Sequence, residues 1–335
     1  MDLSYNVKPR LTDWIVANEL LNSPFVLIDV GVRGGVHSRW WHLGDQLEIH
    51  GIDAAEEAIA PLAAAARPGE RYYITALGDR EGEVDLFVPK IAAAASLHPR
   101  EFLPDQARMA IDPANMADAH ARVVPITRLD TLMASQGVEK ADFLKLDCEG
   151  AEPEILAGAR GLLATAGLLG IESETSFDPI DNRQSHFAAI FGMLMPHGFR
   201  LADAAFGRFA YSSFAERARV LGRKRAIGTP VSRPASANAL FFRDLTAAGK
   251  ATPDELLKSA IILELYGMND VAHDLLTFFR DDAPPDFPIA EAADKLVYPV
   301  VCSCGSLRAA LRQGIREVAA AMRHSLRFRR GRSIR

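Results

Sequence analysis

Cysteine is scarce. Three thiols in 335 residues cannot make a disulfide framework. Cys148 stands alone, and Cys302 and Cys304 form a C-x-C without a second pair or a histidine cluster at zinc spacing. No apolar run of about 18 residues suggests a membrane span. The first eight residues lack an apolar stretch between a basic start and a cleavage site, so no secretory leader is expected and the cytoplasm is the expected compartment. Positive charge is not in excess either: the net charge of -5 excludes a nucleic-acid binder acting through bulk charge. No repeat is visible. What remains is a chain 49% apolar and 24% charged, enough to build a sizeable globular core.

The chain alternates between strand and helix patterns. Residues 11–22 read as an amphipathic helix capped by Thr12 or Asp13 and stopped at Asn22-Ser23-Pro24. Phe25 to Val30 is a continuous apolar strand carrying Asp29. Gly31-Val32-Arg33-Gly34-Gly35 follows, then a helix start near His37. Leu47 to Asp53 is a second strand ending in an acid, and Tyr72 to Gly78 a third. Such alternation implies a parallel sheet with helices on its faces. Val84 to Val88 alternates like an edge strand. Residues 89–121 show no clean period and read as a cover with one short helix. Later strands are expected at 123–126, 168–174, 198–201 and 237–243, with helices at 153–163 and 182–196. After residue 246 the character becomes purely helical. Two domains are therefore expected: 1–246, α/β, and 247–335, a helical extension with a basic tail.

The stretch Asp142-Phe143-Leu144-Lys145-Leu146-Asp147-Cys148-Glu149-Gly150-Ala151-Glu152 organises the rest. A lysine inside an apolar strand is costly unless it meets a carboxylate; Glu172, on the neighbouring strand, is the expected partner. Carboxylates at the carboxyl end of a buried parallel strand sit where open α/β sheets place their ligands. Asp29-x-Gly31-x-x-x-Gly35 follows a strand and opens a helix, so the backbone can approach a ligand there. Arg33 stands where a dinucleotide fingerprint wants its second glycine, and no P-loop lysine is present. Asp53 can accept hydrogen bonds from two ribose hydroxyls. Ala76-Leu77-Gly78 would wall an adenine slot. An acid beside the glycines suits a cationic ligand. Adenosine plus a cation points to S-adenosyl-L-methionine.

These motifs, with Thr127-x-Leu129-Asp130, Leu156-x-Gly158-Ala159, Ile171-Glu172 … Phe177 and Ala239-Leu240-Phe241-Phe242, resemble the FkbM family of S-adenosylmethionine-dependent methyltransferases over residues 22–245. The resemblance implies a Rossmann-like class I methyltransferase fold: a seven-stranded, mostly parallel sheet with helices on both faces and an antiparallel last strand. It implies O-methylation of a sugar, glycan or natural-product hydroxyl. The family usually has Ala-Asn after the first glycine; here Val32-Arg33 stands instead, and Arg33 is expected to pair with the methionine carboxylate. Cofactor contacts are expected from Asp29, Gly31, Arg33, Gly35, Asp53, Ala76, Leu77, Gly78 and Asp147. Asp147, Glu149, Glu172 and His37 are the candidate catalytic groups, with Asp147 nearest the methyl. Magnesium held by Asp147, Glu172 and Glu174 is an alternative use of the same acids.

His42 and His98 are further candidates for a base. Trp40-Trp41 are expected in the core. The basic residues of 207–236 (Arg208, Arg217, Arg219, Arg223, Lys224, Arg225 and Arg233, against Glu216) suit an anionic acceptor, and a solvated surface is the competing reading. The terminal arginines suit a peripheral membrane contact or a protein partner; a homo-oligomer stays open. The competing overall reading is a scaffold that has lost turnover and works through its helical extension.

Overall fold

The computed structural model describes residues 8–99, 118–177, 186–208, 234–285 and 287–298. Ten strands are present among them: β1 (Phe25–Val30), β2 (Leu47–Asp53), β3 (Glu70–Ile74), β4 (Ala76–Leu77), β5 (Gly82–Pro89), β6 (Asp118–Thr127), β7 (Phe143–Leu146), β8 (Gly170–Ser176), β9 (Phe199–Arg208) and β10 (Pro234–Arg243). Seven form one sheet in the order β3-β2-β1-β7-β8-β10-β9. The first five of these run parallel, and β10 is antiparallel to both of its neighbours. The order reverses between β1 and β7, which is where an open α/β sheet opens a crevice at its carboxyl edge.

The expected third strand, 72–78, is two strands. β3 ends at Ile74, the chain leaves the main sheet at Thr75, and Ala76-Leu77 joins a separate sheet ordered β4-β6-β5. Ala76 and Leu77 are both buried, so the apolar run continues while its hydrogen-bonding partner changes from β2 to β6. This small sheet stands beside the crevice and supplies one of its walls.

The main sheet is covered on both faces. Leu27, Ile49, Phe143 and Leu240 look to one face, where they meet Trp40 and the helix Pro253–Leu265; Ile28, Val30, Leu144, Leu146 and Ile171 look to the other. Alternation along each buried strand fixes this division. The helix Pro253–Leu265 opens with a capping box between Thr252 and Glu255 and a proline in its first turn, and every residue from Leu256 to Leu265 is buried. It shares its core with Phe25, Phe143 and Trp40. The change of sequence character at 246 therefore coincides with no gap in the packing.

Two polar anchors bind this helix to the rest. Lys258 donates to Ser23 Oγ (2.9 Å), the Pro24 carbonyl (2.9 Å) and Asp142 Oδ2 (3.1 Å), and Asp254 Oδ2 lies at 3.2 Å. Burial pushes the Asp142 carboxyl up to about 6, against the pull of Lys258. Glu264, fully buried, accepts from Leu11 N (2.9 Å), Thr12 N (2.7 Å), Thr12 Oγ (2.7 Å) and the Tyr298 hydroxyl (2.8 Å). It thereby caps the helix Arg10–Ala17, which is shorter than expected and uses neither Thr12 nor Asp13 as its own cap. No described helix is long and apolar enough to cross a membrane. The basic residues 217–233, Cys302, Cys304 and the terminal arginines lie outside the described residues.

Candidate active site

A cavity of about 230 Å³ lies at the carboxyl edge between β1, β2, β7 and the small sheet. Gly31, Arg33, Asp53, Ala76, Leu77, Asp147 and Glu149, all expected at the site, line it. Asp53 ends β2 and its Oδ1 accepts the Ala55 N–H at 2.7 Å, which fixes the carboxylate at the cavity wall. Burial raises its pKa. Ala76, Leu77 and Leu86 from the small sheet form an apolar side. Ala92 to Leu97 form the remaining wall, within the expected cover segment, and their alanines carry no chemical signal in the sequence.

The loop after β7 is fixed from two directions. A Cβ on Gly31, at φ +80°, would lie 1.9 Å from the Asp147 carbonyl oxygen, so only glycine permits this approach. Glu152, fully buried, accepts Cys148 N–H (2.7 Å) and Gly150 N–H (3.0 Å) with its two oxygens. Between these braces Glu149 holds a left-handed backbone, φ +56°, which costs a non-glycine residue about 1–3 kcal/mol. Burial and the nearby acids push the Cys148 thiol well up, away from its reactive thiolate form.

Asp29 does not line the cavity. It is 2% exposed and bonded to Lys145 Nζ at 3.2 Å. The register sets this arrangement: Asp29, Lys145 and Glu172 lie side by side across β1, β7 and β8 and point to one face. Lys145 also reaches Asp147 Oδ2 at 3.4 Å. The expected Lys145–Glu172 pair is thus corrected: Lys145 turns to Asp29 and Asp147, and Glu172 accepts from the Tyr266 hydroxyl and from Asn238 Nδ2 (3.4 Å). Burial alone would lower the lysine's pKa, but Asp29, Asp147 and Glu172 outweigh it and hold the ammonium well above its usual range. The Asp29 carboxyl is raised to about 6, by burial against the pull of Lys145.

The other expected residues stand off the cavity. Gly35 and Gly78 are not among the lining residues, and Glu172 and Glu174 lie along β8. His37 Nδ1 accepts from Arg39 N (3.1 Å) and Nε (3.0 Å) at the start of a 3-10 helix, Ser38–Gln46. His42 faces Asp13 at 3.0 Å on the surface, and His98 faces Glu154 at 3.4 Å. Arg33 lies 3.9 Å from Glu57, on the Asp53 side of the cavity. Trp40 is core, as expected; Trp41 is exposed beneath Arg67, 4.0 Å from its ring. Among the described residues, no group of three acidic, histidine or cysteine side chains is arranged to hold a metal ion. Tyr266 went unnoticed in the sequence, where a tyrosine at a helix end carries no distinguishing pattern.

The profile of the methyltransferase FkbM domain matches residues 29–201, just over half of the chain. The chain belongs to the FkbM methyltransferase family. The family's methyl donor is S-adenosyl-L-methionine, and its α/β architecture is the one described above. No curated protein matches the sequence. Among solved structures, magnesium protoporphyrin IX methyltransferase from Synechocystis is 14% identical, covering 70% of this chain and 76% of that one, at TM-score 0.30. An S-adenosylmethionine-dependent methyltransferase from Mesorhizobium loti is 12% identical, covering 69% and 98%, at TM-score 0.33. The 1,6-didemethyltoxoflavin-N1-methyltransferase of Burkholderia thailandensis is 14% identical, covering 71% and 80%, at TM-score 0.29. These likenesses are low and bear on no residue of this FkbM protein.

Proposed function

We propose that this FkbM methyltransferase transfers the methyl group of S-adenosyl-L-methionine to a hydroxyl of a sugar, glycan or related natural product. The observation that carries the reading is the shared cavity of Asp53, Gly31 and Asp147. The lining fits the donor. Asp53 has one oxygen engaged by Ala55 N–H and a second for ribose; Ala76, Leu77 and Leu86 offer an adenine-sized apolar wall; Gly31 and Asp147 stand at the charged end. Asp29, behind the wall, acts through Lys145 rather than by contact.

When bound, the donor supplies a methyl group already activated by its sulfonium. The chain's part is then alignment, which can supply roughly 7–11 kcal/mol of the barrier. Asp147 is the acid nearest the transfer, and the protonated Lys145 beside it fixes its direction. A base that takes the acceptor's hydroxyl proton adds about 10²–10⁴-fold, and Asp147 and Glu149 are the groups placed for it. Glu172, held by Tyr266, stands off the cavity and acts on it only through its neighbours on the sheet. The oxygen acceptor itself rests on the family resemblance.

The test is transfer of labelled methyl from S-adenosyl-L-methionine to a panel of sugars and glycosides that includes amino sugars and uronic acids. Label in an alkali-stable ether supports the reading. Label only in amine or carboxyl products contradicts O-methylation while leaving the donor assignment in place.

A further inference from the structure

The cavity has two walls from different parts of the chain, and one side chain joins them. The small sheet sends Ile91 to His98 across the opening, and Ala92, Ala93, Ala95, Ser96 and Leu97 line it; the loop after β7 faces them with Asp147, Cys148 and Glu149. Ser96 is 2% exposed. Its backbone pairs with Phe87 in both directions, at 2.9 and 3.0 Å, which ties it to β5. Its Oγ accepts the His98 N–H (3.1 Å) and donates to the carbonyl of Glu149 (2.8 Å).

That carbonyl belongs to the residue with the left-handed backbone. Strained conformations persist where the surroundings over-determine them. Gly31 admits the Asp147 carbonyl, Glu152 takes two N–H groups, and Ser96 takes the Glu149 carbonyl. Ser96 is the member of this set that comes from the opposite wall. A second contact, His98 to Glu154 at 3.4 Å, runs parallel to it, and the His98 imidazole holds the Glu154 carboxyl below its usual range.

We propose that Ser96 is a positioning residue that clasps the two walls of the donor cavity together, holding Glu149 in its left-handed turn and slowing release of the bound nucleoside. The proposal rests on the reading of the cavity as an S-adenosyl-L-methionine site, and it adds a device that acts on release and on the acid-bearing loop at once.

The experiment measures dissociation of tritiated S-adenosylhomocysteine from the full chain by rapid filtration. Ser96→Ala removes both hydrogen bonds of the hydroxyl, the one to Glu149 and the one from His98, and its off-rate is expected to rise roughly three- to tenfold. Ser96→Thr keeps the hydroxyl and restores the slow rate. Glu149→Gly keeps the carbonyl that Ser96 bonds but accepts a positive φ without strain, so in that background the part of the Ser96→Ala effect that passes through the turn is lost and the two changes combine to less than their product, a non-additivity that a merely structural serine would not produce. Thermal unfolding of each variant confirms that the fold is retained. If the parent binds S-adenosylhomocysteine but Ser96→Ala releases it at the parent's rate, or if the two changes simply multiply, the clasp is wrong and the cavity assignment stands. If the parent binds none, the cavity assignment itself falls and takes the clasp with it.

Discussion

Lys145 and Lys258 are both lysines buried against aspartates, one at each end of the sheet, and their surroundings differ. Lys258, at the amino end, is 4% exposed and has four oxygens around its ammonium: Ser23, Pro24, Asp142 and Asp254. Lys145, at the carboxyl end, has two carboxylate partners, Asp29 and Asp147, and its side chain is 18% exposed. The first is saturated and joins a helix to the sheet. The second is less completely covered, and one of its partners, Asp147, lines the cavity. Lys258 therefore has its partners complete, whereas Lys145 shares one of its partners with the cavity wall.

The largest effect expected from this contrast is at the scaffold end. Lys258→Met leaves Asp142 and Asp254 without their cation, and breaking such a buried pair costs about 3–5 kcal/mol. Urea denaturation measures it, and affinity for S-adenosylhomocysteine stays unchanged. Lys145→Met costs less stability, about 1–3 kcal/mol, because its side chain is 18% exposed and Asp147 is 41% exposed, against 5% and 10% for Lys258 and Asp142. It loses affinity for S-adenosylhomocysteine by calorimetry as Asp147 loses its direction. Equal stability losses with equal binding losses would erase the distinction between the two ends.

Smaller effects sharpen it. Tyr266→Phe keeps a ring that packs on Phe143 at 5.6 Å and under Arg39 at 4.1 Å, so it costs only about 1 kcal/mol. Affinity for S-adenosylhomocysteine stays unchanged, because the bond it loses is to Glu172, off the cavity. A pH-dependent effect is carried by Asp29. Its carboxyl lies at about 6 folded, against the usual 3.8. Between those values the folded chain holds a proton that the unfolded chain has released, so this group's contribution to stability declines as pH rises through the window. Asp29→Asn removes the titration. Denaturation curves should show the variant gaining on the parent from about pH 4 to about pH 7, by no more than about 3 kcal/mol.

Much of the sheet is legible in the sequence, because strands buried on both faces are continuous apolar runs and their acids and glycines mark the ends. Asp53, Gly31 and Asp147 were found in this way and share one cavity. The misses have a common physical origin in lateral register. Whether Lys145 meets Asp29 or Glu172 depends on which neighbouring strand offers an unengaged carboxylate, and Glu172 is engaged by a tyrosine 94 positions along the chain. The break at Thr75 is equally invisible, since Ile74 and Ala76 are both apolar and only the pairing partner changes. Glu264 capping a helix at the other end of the chain is a third case. Local sequence carries the elements and their ends; the partners of buried polar groups are set by what the fold brings near.

The central claim is that the crevice at the carboxyl edge holds an adenosyl donor through Asp53. Isothermal titration of S-adenosylhomocysteine into the parent and into Asp53→Asn tests it directly. The account predicts saturable binding to the parent, weakened about tenfold or more in the variant, a difference of about 1.4 kcal/mol. No heat with the parent, or the same affinity in both, would contradict it.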